Sequence, residues 1–313
     1  MTPAPVPASP YILDFPAAVI ARRSAGHRND FLMNILHVVI LAVVQGICEL
    51  LPVSSSAHVI MAEKLLGLDP TAAEMTMLLV MLHTGTMFAV IVYFWTSWRQ
   101  TYFESAQVLR TNGLLVVWAT VATAVVGGAL LQLIKVIMVR RRPDFEIEHL
   151  FGNPAIMSAG LATAGVLILY SAWRGGHGGT PVTGRAALWI GAVQGVCLPF
   201  RGLSRSGATI STGLALGVAR LRAEEFSFAL AVVLTPAVIA REAWRLVKAP
   251  AVAAAIQADG LGTVLVPSLL GMVFSFAAGL VALRWLSRWL EHDRWHFFGV
   301  YCLVAALVVY LAG

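Results

Sequence analysis

The chain has 313 residues, of which 58% are hydrophobic and only 12% are charged. Soluble domains carry about 25% charged residues, so this composition excludes a cytosolic enzyme, a nucleic-acid-binding protein and a disulfide-framed secreted domain. The net charge of +6 is typical of basic loops beside anionic lipid headgroups and needs no nucleic-acid partner. The composition predicts an all-α polytopic integral membrane protein.

In chain order, a proline- and alanine-rich segment precedes the apolar part of the chain. Residues 1–30 lack a long apolar core followed by a cleavage site, so we expect a mobile N-terminal extension. Residues 31–313 are expected to form a single membrane domain. A full crossing takes roughly 20 mostly apolar residues. The six candidate crossings, most of them with tryptophan near an end, are Met75–Trp95, Leu114–Met138, Pro154–Trp173, Phe226–Trp244, Val264–Leu286 and Phe297–Leu311.

Two shorter apolar stretches are expected to enter the membrane and return. Ile35–Leu51 and Ala187–Phe200 each run into proline, glycine and serine instead of a charged flank. Backbone that leaves helical geometry at membrane depth must be buried in protein or line a watery cavity. We therefore predict two re-entrant helical hairpins. Basic clusters follow successive crossings, so the positive-inside rule leaves the orientation open.

The two hairpin sequences are copies of each other. VQGICELLPVSSSAH begins at Val44, and VQGVCLPFRGLSRSGAT begins at Val193. The offset of 149 or 150 residues persists beyond these motifs, so repeat one covers about 35–100 and repeat two about 187–248. Three predicted crossings separate the copies, so the second copy points the opposite way through the bilayer. This pattern predicts an inverted-topology repeat whose broken helices meet at a binding site.

The first copy carries an acid, hydroxyls and an imidazole. Gln45 and Glu49 are spaced i, i+4, which puts both side chains on one helix face. A carboxylate inside a membrane usually marks a pathway, a proton relay or a metal site. Ser54, Ser55 and His58 follow the proline that ends the helix. The alternative interpretation is a hydrogen-bonded structural acid followed by serines that cap the backbone.

The second copy carries the complementary positive charge. Gly202, Ser204, Arg205 and Ser206 belong to the segment GLSRSG, which precedes an apolar helix. Glycines let backbone N–H groups turn toward an anion, and the start of a helix adds a positive dipole. The planar fork of arginine matches two phosphate oxygens, and Arg201 adds a second cation. The alternative is an interfacial loop with a snorkelling arginine.

Together the two copies provide the groups for phosphoryl transfer from a lipid-anchored phosphate. A hydroxyl or water would attack phosphorus, His58 or Glu49 would move the proton, and Arg205 with backbone N–H groups would hold the oxygens. The residues leave the choice between Ser54, Ser55 and water open. A divalent cation, Mg²⁺ or Ca²⁺, on Glu49 and the diphosphate would offset charge.

These motifs closely resemble those of the bacterial undecaprenyl-diphosphate phosphatase family, once described as bacitracin-resistance proteins. The similarity runs from about residue 33 to the C-terminus and includes QGICELLPVSSSAH, RGLSRSGAT and EFSF. The resemblance implies removal of the terminal phosphate from undecaprenyl diphosphate, which recycles the lipid carrier for cell-wall synthesis. It also implies a divalent-cation requirement and a site on the periplasmic side of the bacterial inner membrane.

The resemblance also implies roles for individual residues, matched by their positions in the motifs. Gln45 stands where many relatives have an acid, and Arg201 stands where the family motif usually has proline. The implied site residues are Glu49, Ser55, His58 and Arg205 for catalysis, Gln45 with Glu49 for the cation, and Ser54, Arg201, Gly202, Ser204, Ser206 and Thr209 for the substrate phosphate.

Two alternatives remain at this point. Lys135 to Arg142-Pro143 fits the first motif of the acid-phosphatase-type lipid phosphatases, but the later motifs of that class do not follow. A secondary transporter or lipid flippase would also suit an inverted repeat with broken helices. Such a protein would not need the full set of carboxylate, imidazole and guanidinium. The expected partners are a polyprenyl diphosphate lipid and the bilayer, with a homodimer left open.

Overall fold

The computed structural model describes residues 35–68, 73–141, 153–174, 179–248 and 261–312. The predicted extension over residues 1–30 and the Arg142-Pro143 pair lie outside these ranges. Within them, regular structure is helical apart from one isolated bridge between Thr180 and Val218. The helices are α1 (Ile35–Leu50), α2 (Ser55–Leu65), α3 (Ala73–Phe103), α4 (Ala106–Arg141), α5 (Pro154–Arg174), α6 (Gly184–Cys197), α7 (Arg205–Ala215), α8 (Arg220–Lys248), α9 (Leu261–Glu291) and α10 (Trp295–Ala312).

Six of these helices, α3, α4, α5, α8, α9 and α10, are long and apolar enough to cross a membrane. This confirms the predicted polytopic all-α architecture. Helix α3 extends beyond the predicted crossing to Phe103, so that Trp98 lies within the helix. Its ring is buried beside Phe94, and its indole N–H donates to the carbonyl of Glu225, because α8 packs against this end of α3.

Two pairs of short helices form the predicted hairpins. Helix α1 ends at Leu50 and α2 begins at Ser55, with Ser54 between them at a φ of 67°. Helices α6 and α7 are joined by a turn in which Gly202 has a φ of 101°. Ser204 caps α7 by accepting a hydrogen bond from the backbone N–H of Gly207. Their re-entrant placement in a bilayer stays a prediction.

The equivalent glycine of each hairpin permits close packing against a long helix. A Cβ on Gly46 would lie 2.6 Å from the carbonyl oxygen of Ser275 in α9. A Cβ on Gly195 would lie 2.8 Å from the carbonyl oxygen of Thr123 in α4. Small residues allow such backbone contact between helices where lipid supplies no hydrophobic driving force. Each hairpin is thereby held against the bundle by its own VQG motif.

The hairpins start from opposite ends of α3. Val38 of α1 and Leu78, near the beginning of α3, both lie beside Gly271 of α9. Ile190 of α6 packs against the start of α8, where Phe228 stacks on Phe94 near the end of α3, with ring centroids 5.5 Å apart. These contacts are consistent with two copies that run in opposite senses, and the inverted repeat stays a prediction.

The tips of the hairpins meet. The hydroxyl of Ser206 donates to the carbonyl oxygen of Leu51 at 3.3 Å, which joins the second tip to the first. Pro52 lies against Gly207, and its carbonyl oxygen accepts from the thiol of Cys302 in α10 at 3.2 Å. The chemistry-bearing segments of both copies are thus brought to one place.

Candidate active site

Glu49 is the centre of the candidate site. Its Oε1 accepts a hydrogen bond from the Nη2 of Arg205 at 2.8 Å, which forms an ion pair between the two hairpins. Its Oε2 accepts from the Ser55 hydroxyl at 2.6 Å and from the Gln45 amide at 3.3 Å. One carboxylate therefore joins the predicted residues of the first copy to the predicted cation of the second.

Arg205 keeps one donor group unpaired. Its Nη2 binds Glu49, but its Nη1 is buried and has no hydrogen-bond partner in the described part of the protein. A buried unsatisfied donor is costly, so its retention calls for an explanation. Arg205 is also the first residue of α7, where free backbone N–H groups and the helix dipole favour an anion. The unpaired nitrogen and the helix start together favour phosphate binding here.

The small polar residues beside Arg205 have partners within the protein. The Ser204 oxygen caps α7 and lies 3.4 Å from the Ser206 hydroxyl. The same pair recurs in the first copy, where the hydroxyls of Ser54 and Ser56 are 3.5 Å apart. Thr209 is fully buried, donates to the Arg205 carbonyl and contacts a serine of α8. In this structure these hydroxyls shape the turns, and their predicted contact with phosphate stays a prediction.

Arg201 and Gly202 occupy the turn itself. Arg201 is exposed and lies close enough to the buried carboxyl of Glu63 to interact with it electrostatically. Gly202 is buried against α5, where a Cβ would lie 2.8 Å from the Cα of Met157. The positive φ and the close approach both require glycine at this position. The turn is therefore fixed in place against α5.

His58 lies in the site but is not hydrogen-bonded to Glu49 or Ser55. Its Nδ1 lies 2.8 Å from the Ser54 carbonyl oxygen, and its Nε2 lies 2.6 Å from the Tyr301 hydroxyl. Because a carbonyl can only accept, Nδ1 carries a proton and donates it to Ser54, which leaves Nε2 facing the tyrosine hydroxyl. The Tyr301 ring also stacks on the imidazole, with centroids 5.7 Å apart.

Two residues of the site were missed by the sequence reasoning. Tyr301 is one of several aromatic residues in α10, and no sequence signal distinguished it. His83 of α3 has its Nε2 3.8 Å from the Oε2 of Glu49, and its Nδ1 donates to the Leu79 carbonyl. The position of His83 inside a candidate crossing could have indicated its role, because titratable groups within membrane spans are usually functional.

The two serines proposed as nucleophiles differ in their surroundings. The Ser55 hydroxyl is half-buried and donates to a carboxylate, which is the arrangement that activates a nucleophilic oxygen. The Ser54 hydroxyl is buried and contacts only Ser56 among the hydrogen bonds of the described residues. The geometry therefore favours Ser55 over Ser54.

The residues at Glu49 fit a cation only in combination with substrate. No group of three or more histidine, cysteine or acidic side chains that could hold a metal occurs within the described ranges. Both oxygens of Glu49 are hydrogen-bonded, and Gln45 contributes a neutral amide where an acid would add charge. Mg²⁺ is commonly held by one or two carboxylates together with substrate phosphates. One carboxylate and one amide match that mode and do not form a complete cage.

Comparison with known proteins identifies the family. The sequence profile described as "Bacitracin resistance protein BacA" matches residues 38–308. The chain belongs to this family. It is 59% identical over 279 residues to "Undecaprenyl-diphosphatase 2" of Acinetobacter baylyi, which covers 88% of the chain and 97% of the relative. Proteins named "Undecaprenyl-diphosphatase" from Korarchaeum cryptofilum and Rhodopirellula baltica are each 31% identical, over 88% and 90% of the chain and 98% of each relative.

The region shared with the family includes both hairpins and every candidate site residue. It also includes the EFSF block, whose Ser227 hydroxyl is hydrogen-bonded to Thr209 of the second hairpin at 2.6 Å. Glu225 of this block is paired with Arg222 and Ser97, and Phe228 is buried against Phe94. The block therefore ties α8 to α3, which holds the second hairpin beside the rest of the bundle.

Proposed function

We propose that this chain hydrolyses undecaprenyl diphosphate to undecaprenyl phosphate and inorganic phosphate, which recycles the lipid carrier for cell-wall synthesis. The relatives named above carry this activity in their names. The observation that supports it most directly is Arg205, which pairs with Glu49 through one nitrogen and keeps the other buried and unpaired. That nitrogen is available to a phosphate oxygen beside an activated serine.

The proposed reaction begins at Ser55. Its oxygen attacks the terminal phosphorus as its proton passes to Oε2 of Glu49, 2.6 Å away. The bond between that phosphorus and the bridging oxygen breaks, and undecaprenyl phosphate leaves. Arg205 and the backbone N–H groups at the start of α7 stabilise the equatorial oxygens of the transferred group. Water then attacks the same phosphorus and gives a proton to the His58–Tyr301 pair, the bond to the Ser55 oxygen breaks, and Ser55 regains its proton from Glu49 as inorganic phosphate leaves.

The two histidines are proposed to act on opposite sides of this step. The Tyr301 hydroxyl gives its proton to the bridging oxygen of the leaving phosphate and takes a proton from Nε2 of protonated His58, whose Nδ1–H is held by the Ser54 carbonyl. His83 has Nε2 directed to Glu49 and stabilises that carboxyl after it takes the serine proton. Glu49 is thereby positioned between the nucleophile and a second proton acceptor.

A divalent cation, Mg²⁺ or Ca²⁺, is part of the proposal. It would be held by Glu49 and the Gln45 side-chain oxygen together with the diphosphate of the substrate. When bound it supplies positive charge to the phosphate oxygens. The neutral Gln45 weakens this site relative to one with a second acid, so we expect cation binding to depend on substrate.

We further propose that the protein lies in the bacterial inner membrane and that its active site faces the periplasm. Six apolar helices support a multi-pass protein. Arg201 is exposed at the site, so Arg201→Cys can report the face. We expect a membrane-impermeant maleimide to label this variant in intact spheroplasts. Labelling only after lysis would show that the site faces the cytoplasm.

Whether the protein forms a homodimer is tested by light scattering in detergent.

The transporter or flippase alternative is not favoured. The relatives are named as diphosphatases, and the site carries a hydrogen-bonded serine and carboxylate that transport does not need. A flippase would move the lipid and leave its diphosphate intact. Product analysis therefore separates the two activities directly.

The experiment measures phosphate release from undecaprenyl diphosphate by purified protein with Mg²⁺ or Ca²⁺, with and without chelator. Wild type is expected to release phosphate, and Arg205→Ala is expected to lose about 100-fold or more in rate. Arg110→Ala is the matched control, because Arg110 is exposed in α4 and takes no part in the site. No release by wild type would refute the function, and full activity of Arg205→Ala would refute the phosphate site.

A further inference from the structure

A groove of about 630 Å³ lies at the end of α9, separate from the hairpin tips. The first hairpin packs against α9 near Ser275, and the groove begins further along the helix and continues to the start of α10. None of the candidate catalytic residues lines it. Its walls are formed mainly by Val281, Arg284, Trp285, Arg288, Trp289 and Arg294.

The groove is strongly positive. Its three arginines, Arg284, Arg288 and Arg294, are exposed, and their side chains make no hydrogen bond or ion pair with any described residue. None of the residues that line the groove is acidic. The neighbouring Asp293 is paired with Arg220. Three guanidinium groups therefore share a concave surface whose lining residues include no acidic side chain, the nearest acidic residues in sequence being Glu291 and Asp293.

Aromatic side chains make one wall of the groove rigid. The rings of Trp285 and Trp289 meet edge to face, with centroids 5.1 Å apart. Trp289 also packs against Phe298 of α10, with centroids 5.2 Å apart. Tryptophan is enriched at the headgroup level of membranes because its ring is apolar and its N–H is polar. This wall matches the boundary between acyl chains and headgroups.

The polarity of the groove changes along α9. Val281, Arg284, Arg288 and His292 are spaced three or four residues apart, so they follow one face of the helix. The exposed apolar Val281 lies deeper in the candidate crossing, and His292 lies just beyond its end. The interval of eleven residues from Val281 to His292 corresponds to roughly 16 Å along a helix axis. The order from apolar to basic over this length matches a lipid whose acyl chain points inward and whose phosphate lies at the surface.

We propose that this groove binds the phosphate of an anionic phospholipid, with an acyl chain lying along Val281. Two arginine forks can hold phosphate oxygens bidentately, and the third offsets the remaining negative charge. The charge complementarity and the apolar-to-basic order select a lipid headgroup as the occupant. This binding is separate from hydrolysis and does not depend on the proposed function.

The test measures lipid retention by native mass spectrometry of the purified full chain. Dioleoyl phosphatidylglycerol is compared with dioleoyl phosphatidylcholine, which has the same acyl chains, and with inorganic phosphate alone. The variant is Arg284→Gln with Arg288→Gln. Phosphatidylglycerol is expected to bind wild type in preference to phosphatidylcholine, and the double variant is expected to lose roughly 30-fold in affinity.

A matched control removes two other arginines from the same end of the bundle. Arg99 and Arg110 are exposed at the end of α3 and the start of α4. The first turn of α8 contacts both this region and the end of α9, through Arg222 to Thr101 and Arg220 to Asp293. Arg99→Gln with Arg110→Gln therefore causes the same charge loss without altering the groove, and it should retain phosphatidylglycerol.

Three outcomes would overturn the proposal. These are equal retention of the two lipids by wild type, equal losses in the groove and control variants, and binding of inorganic phosphate that excludes phosphatidylglycerol. The last would assign the groove to a free anion. Phosphate release from undecaprenyl diphosphate in detergent should be unchanged in the groove variant, so failure of the lipid site and failure of the enzyme function are distinguishable.

Discussion

Replacement of Gly202 by alanine tests how precisely the phosphate-binding turn must be held. Gly202 has a φ of 101°, which costs a residue with a Cβ about 1–3 kcal/mol of strain. The new Cβ would also lie closest to the Met157 carbonyl oxygen and 2.8 Å from the Met157 Cα, so relief to the 3.4 Å of ordinary contact moves the turn by at least roughly 0.6 Å. Arg205 follows on this turn and would move with it.

This displacement sets the expected loss of activity. A misplacement of about 1 Å can cost a factor of 10² in rate, so roughly 0.6 Å corresponds to a loss on the order of tenfold in kcat/KM. Gly217→Ala is the matched control. Gly217 has a φ of 82°, but a Cβ there meets nothing within 4 Å. The control should lose only the stability that corresponds to the positive-φ strain and keep nearly full activity.

The assay combines phosphate release with thermal unfolding, both on protein that elutes as a folded species. We expect both Gly202→Ala and Gly217→Ala to unfold at a lower temperature, Gly202→Ala by more because of its added contact, and only Gly202→Ala to lose kcat/KM. Wild-type kcat/KM in folded Gly202→Ala would show that the close approach to α5 does not position the site. An equal loss in Gly217→Ala would assign the effect to general strain.

Three other changes test individual groups of the site. Ser55→Ala should abolish trapping of phosphoserine from labelled substrate and reduce kcat more than 100-fold, whereas Ser54→Ala should retain most activity; the reverse order would assign the attack to Ser54. Tyr301→Phe should lower kcat about tenfold with little change in KM, and an unchanged kcat would remove the hydroxyl bonded to His58 from the reaction. Gln45→Glu should tighten Mn²⁺ binding measured by electron paramagnetic resonance; an unchanged titration would exclude this position from the cation site.

The helical hairpins and the convergence of Glu49 and Arg205 could be predicted from the sequence, whereas the ion pair between them was not predicted. Charged residues are scarce in this chain, so Glu49 and Arg205 stood out within apolar repeats, and the repeat itself implied that they meet. The six long helices followed from the length of apolar runs. These features depend on composition and spacing, which the sequence contains directly.

Other features depend on tertiary packing between distant segments. The contact between His58 and Tyr301 joins residues 243 positions apart, and nothing local in either segment indicates it. The Thr209 hydroxyl donates to the Arg205 carbonyl and the Ser204 oxygen accepts from the Gly207 N–H, and their predicted contact with phosphate stays a prediction. Hydroxyls in short helices readily satisfy adjacent backbone, which a motif match cannot distinguish from ligand binding.

The central claim is that one carboxylate and one guanidinium, from different copies of the repeat, act as a single catalytic unit. The most direct test measures kcat/KM for Glu49→Gln, Arg205→Ala and the double variant. Each single change should cost about 100- to 1,000-fold. The effects of groups that act together are not additive. The kcat/KM of the double variant should therefore be less than about tenfold below that of the less active single variant. Losses that multiply would show that the two residues act independently, which would contradict a shared site.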